Sequence, residues 1–225
     1  MLEWESREGA VRVLVDTSTD LRQQALRAGI DRLDAVIYTH AHADHILGLD
    51  ELRIYNFVYH RPMPLYGDAE TLARIRQMFW YAFDKNAVAV PRLDLHEIDE
   101  QFDLFGVRID AVPVEHGAMS VHAFRVGDFA YVTDCSGISP DAAVRLQDLD
   151  VLVIDALRHK PHRSHFSLEQ ALREVERLRP RRALLTHLSH DLEHAHLSSS
   201  LPPGIEVAHD GLVLELTLPE SCRCD

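Results

Sequence analysis

The stretch Thr39-His40-Ala41-His42-Ala43-Asp44-His45 constrains this chain more than any other. Three imidazoles and one carboxylate fall within the six positions from His40 to His45, directly behind the largely apolar run 33–38. The run reads as a buried strand, and the segment after it as a loop at the strand's C-terminal end. Neutral imidazole and carboxylate are the donors that borderline divalent cations take. Packing so many of them together is costly unless a cation sits among them.

Strand-like runs, short and rich in β-branched residues, fall at 11–15, 35–38, 107–112, 122–126, 130–133, 151–155, 183–186 and 212–216. Helical spacing of apolar residues occurs at 20–28, 69–80, 141–146 and 167–179. Ser167 with Gln170 three positions on predicts a capping box, and Pro180 ends that helix. Asp210-Gly211 predicts a hairpin turn between 205–208 and 212–216. Strands that are first neighbours and then alternate with helices predict a layered α/β chain with mixed sheets. Four more ligand candidates close such runs: His116 after 111–114, Asp134 after 130–133, Asp155 after 151–154 and His187 after 183–186. One polar residue at each strand end is how a rigid scaffold gathers ligands from distant sequence.

A net charge of −13 argues against a DNA or general RNA binder, because phosphate-backbone binding rests on clustered Lys and Arg. A small anionic substrate stays open, since bound cations supply positive charge locally. The three cysteines are Cys135 alone and the pair Cys222 and Cys224 near the C-terminus. So sparse a set fits a reducing cytoplasm better than a disulfide framework. No apolar run is long enough to span a membrane, and the opening residues Met1-Leu2-Glu3-Trp4-Glu5 do not read as a signal peptide.

T-H-A-H-A-D-H at 39–45, V-E-H-G at 114–117, T-D-C-S at 133–136 and L-T-H-L-S-H at 185–190 resemble the metal motifs of the metallo-β-lactamase superfamily. D-T-S-T-D-L-R-Q-Q at 16–24, G-L-D-E-L-R at 48–53, D-A-L-R at 155–158, P-H-R-S-H-F-S at 161–167 and H-D-G-L at 209–212 resemble its PhnP-type phosphodiesterases, which act on phosphoribosyl cyclic phosphate. The resemblance implies two divalent metal ions, Mn²⁺ or Zn²⁺. His40, His42 and His116 would hold one, Asp44, His45 and His187 the other, with Asp134 bridging. It also implies catalytic roles for Asp44 and for His165, the latter as general acid toward the leaving oxygen. Asp16 and Asp155 read as supports that accept a proton from a ligating imidazole and fix its tautomer. Arg53 and Arg158 lie in matched motifs and suit a substrate phosphate; a structural salt bridge is the open alternative for both.

The resemblance also marks a departure. The family opens with a Gly-rich first strand and a C-x-C-x-x-C segment, whose cysteines hold a structural zinc together with the later His of L-T-H-x-S-H. This chain begins downstream of both, which makes His190 an orphan ligand. The expectation is an unpaired sheet edge at 2–5 or 11–15: a partner chain such as a second copy in a homodimer covers it, or the protein is less stable than its relatives, or, the favoured reading, the true start lies upstream.

The reading is a single α/β domain over 1–225, the metallo-β-lactamase αββα sandwich with two mixed β-sheets flanked by helices, and a flexible tail at 217–225. The expected function is hydrolysis of a small phosphodiester by a binuclear metal site, with no DNA or membrane partner. Alternatives are a tRNA 3′-processing nuclease, a thioesterase, or a truncated non-catalytic metal-binding protein.

Overall fold

The computed structural model describes residues 1–224 and divides into two compact units, residues 1–99 and residue 100 onward.

The first unit contains β1 (Leu2–Ser6), β2 (Gly9–Val15), α1 (Leu21–Ala28), β3 (Ala35–Ile37), α2 (Ala43–Ile46), α3 (Arg53–Tyr59), β4 (Met63–Gly67), α4 (Ala69–Met78) and β5 (Leu93–Glu97). Its sheet runs β1-β2-β3-β4-β5, antiparallel at β1/β2 and parallel from β2 to β5. Ala35, Val36 and Ile37 are wholly buried, as a strand covered on both faces requires. The register of β2 against β3 is held at Asp34. Its buried carboxylate accepts from the Arg12 backbone N–H at 3.0 Å, from Arg32 Nη2 at 2.9 Å and from Arg61 Nη2 at 2.5 Å.

The segment 43–59, which shows no clear period in the sequence, is almost entirely helical: α2, a 3-10 stretch at Leu47–Leu52, then α3. Leu49, Leu52, Tyr55 and Asn56 turn inward at spacings of three and four. Gly48 is what lets this segment approach the loop after β2. A Cβ there would stand 2.0 Å from the Ser18 carbonyl oxygen.

The second unit contains β6 (Gln101–Leu104), β7 (Val107–His116), β8 (Met119–Val126), β9 (Phe129–Val132), α5 (Pro140–Arg145), β10 (Val151–Asp155), α6 (Leu168–Leu178), β11 (Arg182–Thr186), α7 (His194–Ser200) and β12 (Ile205–Val207). Its sheet runs β12-β11-β10-β9-β8-β7-β6, parallel from β12 to β9 and antiparallel from β9 to β6. Both units therefore carry a mixed sheet with helices, the fold class expected from the sequence.

Residues 167–179 fold as the sequence predicts. Ser167 Oγ accepts from Gln170 N, Gln170 Oε1 accepts from Ser167 N, and Arg179 ends α6 in a left-handed turn before Pro180. Ala171, Val175 and Leu178 bury one face of α6 in a core with Leu152, Ile154 and Leu185. Burying an aliphatic side chain of this size contributes roughly 1.5–3 kcal/mol.

The expected strand at 212–216 does not form, and Asp210-Gly211 makes a turn without a hairpin. β12 stops at Val207, and Leu212 and Leu214 pack instead on Val151, Val153 and Leu184. Their alternation serves packing rather than pairing. The end of the chain is also held: Cys224 N donates to Gly106 O at 2.9 Å, and Arg223 bridges Val107. Asp225 lies outside the described residues. Among the described residues no helix is long and apolar enough to cross a membrane.

Candidate metal centre

In the first unit the candidate ligands follow β3. The expected loop is only three residues past Tyr38; His42 caps α2, and Asp44 and His45 lie on that helix, with His45 N and Ile46 N both returning to His42 O. One helical turn thus separates the His40/His42 pair from Asp44 and His45. The His40 ring lies 4.6 Å from that of His42 and 4.2 Å from that of His45, centroid to centroid.

Asp16, just past β2, organises this cluster. Its Oδ1 accepts from Thr39 N at 2.8 Å, and its Oδ2 accepts from Thr39 Oγ1 at 2.8 Å and faces His45 Nδ1 at 2.7 Å. The ionised carboxylate only accepts, so His45 carries its proton on Nδ1 and keeps a lone pair on Nε2. Thr39 Oγ1, having donated to Asp16, accepts at 3.1 Å from His40 Nδ1, which leaves a lone pair on His40 Nε2 as well. Thr39 and Asp16 therefore set two tautomers at once. The loop carrying Asp16 is held by Thr17 N donating to His45 O and Gly48 N donating to Thr17 O.

In the second unit His116 ends β7, Asp134 follows β9, Asp155 ends β10 and His187 follows β11. The last three stand at the C-terminal ends of adjacent parallel strands. His116 Nδ1 donates to the Ser164 carbonyl at 2.6 Å, so its Nε2 keeps the lone pair. That nitrogen faces Asp134 Oδ2 at 3.8 Å, and His187 Nε2 faces Asp134 Oδ1 at 3.3 Å. The two oxygens of one buried carboxylate thus address two different imidazoles.

His165 joins this group. Its ring stacks on His187 at 4.9 Å and 15°, lies edge-on to His116 at 4.7 Å, and places Nδ1 3.4 Å from Asp155 Oδ2. Asp155 is wholly buried, and its Oδ1 accepts from Cys135 N at 3.0 Å. Burial pushes its carboxyl up to about 6, with His165 and the Cys135 N–H pulling the other way. Asp155 thus supports His165 rather than a predicted ligand.

Asp16, Asp134 and His187 all have positive φ, at 58°, 56° and 56°. Non-glycine residues held this way cost on the order of 1–3 kcal/mol each and gather where function demands the geometry.

The arginines have structural partners. Arg53 pairs with Asp50 at 3.2 Å, and Arg158 donates Nε to Lys160 O and Nη2 to Pro161 O. His190 is on the surface, 3.6 Å from Asp191, and belongs to no metal-capable cluster among the described residues. Thr39 and the Ser164 carbonyl were missed as site groups. The adjacency of Thr39 to His40 pointed to the first; a backbone oxygen 48 residues from His116 left no trace in the sequence.

The donor set fits divalent cations. Once Nδ1 of His45 and His116 is committed as a donor, Nε2 of each faces a carboxylate oxygen, at Asp44 Oδ2 (3.5 Å) and Asp134 Oδ2 (3.8 Å). Two acceptors face each other in both places, and only positive charge between them makes the contact favourable.

A family model for the β-lactamase superfamily domain matches residues 11–188. Among solved structures, one described as a new diphosphatase from the PhnP family is 40% identical, with a TM-score of 0.86 over 94% of this chain and 81% of that one. Among curated proteins, an octanoyltransferase of Porphyromonas gingivalis is 38% identical over 89% of this chain, and a ribonuclease Z of Bradyrhizobium diazoefficiens is 31% identical over 47%. The chain spans only 42% and 36% of the lengths of those two curated relatives. The chain belongs to the β-lactamase superfamily, and within it to the PhnP family.

Proposed function

We propose that the chain is a metal-dependent hydrolase that binds a pair of divalent cations, Mn²⁺ or Zn²⁺. His40, His42, His116 and Asp134 hold one, and Asp44, His45, Asp134 and His187 the other. Asp134 carries this reading, because it divides its two oxygens between the Nε2 atoms of two imidazoles, His116 and His187. When bound, such a pair supplies an acidified water and neutralises phosphate charge.

The protein's own groups do the rest. Asp16, Thr39 and the Ser164 carbonyl hold the imidazoles in the ligating tautomer. His165, braced by Asp155 on one side and by the His187 ring on the other, presents its second nitrogen to a leaving oxygen and gives it a proton. The small, acidic chain suits a low-molecular-weight phosphodiester, with a sugar cyclic phosphate as the specific substrate and no DNA or membrane partner. The three cysteines are free among the described residues, which suits the cytoplasm. A second reading, cleavage of a diphosphate linkage, is favoured by the diphosphatase named among its relatives.

Elemental analysis combined with turnover of bis-p-nitrophenyl phosphate, a ribosyl cyclic phosphate, a sugar-nucleotide diphosphate and an acyl thioester tests the assignment. Two metal equivalents with preference for the cyclic phosphate are expected. Full metal occupancy with no phosphoester turnover refutes it.

A further inference from the structure

His116 ends β7 and Asp134 follows β9, and β8 lies between those strands in the sheet. Strand pairing therefore makes no direct bond between the two ends. Residues 134–137 supply one. The register of β6 on β7 reaches only Asp110, and farther along β7 the chain just past Asp134 takes over. Glu115 N donates to Gly137 O at 2.9 Å, and Ser136 N donates to Glu115 O at 2.6 Å. On the way, Cys135 N donates to Asp155 Oδ1 at 3.0 Å, and Cys135 O accepts at 2.6 Å from the N–H of Phe166, the residue after His165. Asp134, held at φ 56°, is thus followed directly by a strap bonded on three sides.

The Ser136 hydroxyl closes this strap around His116. It accepts from Gly117 N at 2.9 Å and donates to Glu115 O at 3.2 Å, so one oxygen holds the residues on both sides of the imidazole. Gly117 turns there with φ 64°, and a Cβ on it would stand 3.2 Å from Ser164 Cβ. The clamped turn therefore lies against the residue whose carbonyl accepts from His116 Nδ1. His187 is framed by other groups: Thr186 O accepts from Ala156 N, and Ser189 N donates to Leu157 O.

We propose that Ser136 is a positioning residue for the cation assigned above to His40, His42, His116 and Asp134, and not for the one assigned to Asp44, His45, Asp134 and His187. Its hydroxyl fixes the 3.8 Å separation between His116 Nε2 and Asp134 Oδ2, two atoms that serve the first cation together. The inference rests on the two-cation reading above and divides the supporting groups between the two cations.

Chelator-competition titration of the full chain with Zn²⁺ tests it without recourse to turnover. Ser136→Val is expected to weaken one of two equivalents by roughly 10- to 100-fold, the cost of losing an outer support of a ligating histidine, and to leave the other within about threefold. Ser136→Thr, which has the shape of the valine variant but keeps the hydroxyl, should hold both within about threefold. In a His116→Ala background Ser136→Val should cost less than about twofold, since the group it positions is gone. Equal weakening of both equivalents, equal losses in the Thr and Val proteins, or an undiminished loss in the His116→Ala background overturns the proposal. A wild-type protein that takes up a single equivalent refutes the two-cation reading instead. Ser136 is then judged on that equivalent: a loss of at least about tenfold in Ser136→Val relative to Ser136→Thr supports its role, and equal affinity overturns it. No uptake by the wild type refutes both.

Discussion

Asp16→Asn isolates the one charge that sets the His45 tautomer. Asparagine visits the left-handed backbone that Asp16 adopts at φ 58° as readily as aspartate does, so the substitution adds no strain to the turn. It changes only which atoms donate. Oδ1 of Asp16 accepts from the Thr39 backbone N–H, while Oδ2 accepts from Thr39 Oγ1 and His45 Nδ1. If the amide oxygen keeps the Thr39 N–H, the amide NH₂ meets His45 Nδ1 and drives the ring proton to Nε2, the nitrogen a metal needs. If the amide flips, its NH₂ confronts the Thr39 N–H, donor against donor. Either arrangement loses at least one hydrogen bond to a charged group, about 1.5–3 kcal/mol. The expected result is a fall of roughly 10- to 100-fold in affinity for the more weakly held cation, the usual cost of losing an outer partner of a ligating histidine. Chelator-competition titration with Zn²⁺ reads the affinity, and a melt of the metal-free protein reads stability. Affinity within twofold of wild type would show that Asp16 does not control His45, and the tautomer argument would fail.

Three further outcomes follow from the same structure. Gly48→Ala drives a methyl to within 2.0 Å of the Ser18 carbonyl, so a loss of about 2–4 kcal/mol and a drop in Tm on the order of 5–15 °C are expected; a shift below 2 °C in calorimetry contradicts the close approach. Asp34→Asn should lose roughly 2–4 kcal/mol at pH 7 in denaturant titrations. The Arg12 N–H, Arg61 and Arg32 outweigh burial and hold the Asp34 carboxyl below its ordinary 3.8, so its stabilisation is complete above that pH and fades as pH falls through the lower folded value. A wild-type advantage that widens below pH 4 reverses the sign and refutes the reasoning. His165→Ala should cut turnover by roughly 10²- to 10⁴-fold with metal content unchanged; retained activity on a substrate with a poor leaving group removes the acid assignment.

How far the sequence carries depends on whether a feature is local. The strand at 151–155, the capping box of Ser167 and Gln170, and the order of ligand types along the chain are set by neighbouring residues, and each was readable before any fold was known. So were the positions of Asp134 and His187 directly behind their strands, because each follows a short apolar run. Alternation at 212–216 misled, since Leu212 and Leu214 obey the period of a strand but find a hydrophobic cluster instead of a partner edge. The helical path through 43–59 was hidden because its buried and exposed faces are both apolar, with Ile54, Phe57 and Val58 outside.

The kinds of donor and their spacing belong to the sequence. Which nitrogen of each imidazole is free, which oxygen of Asp134 faces which ring, and whether Asp155 serves a ligand or His165 belong to the tertiary structure alone. Those choices hang on hydrogen bonds such as Asp16 to His45 and His116 to Ser164, made between residues 29 and 48 positions apart, and a bond of that span exists only once the chain has closed around it.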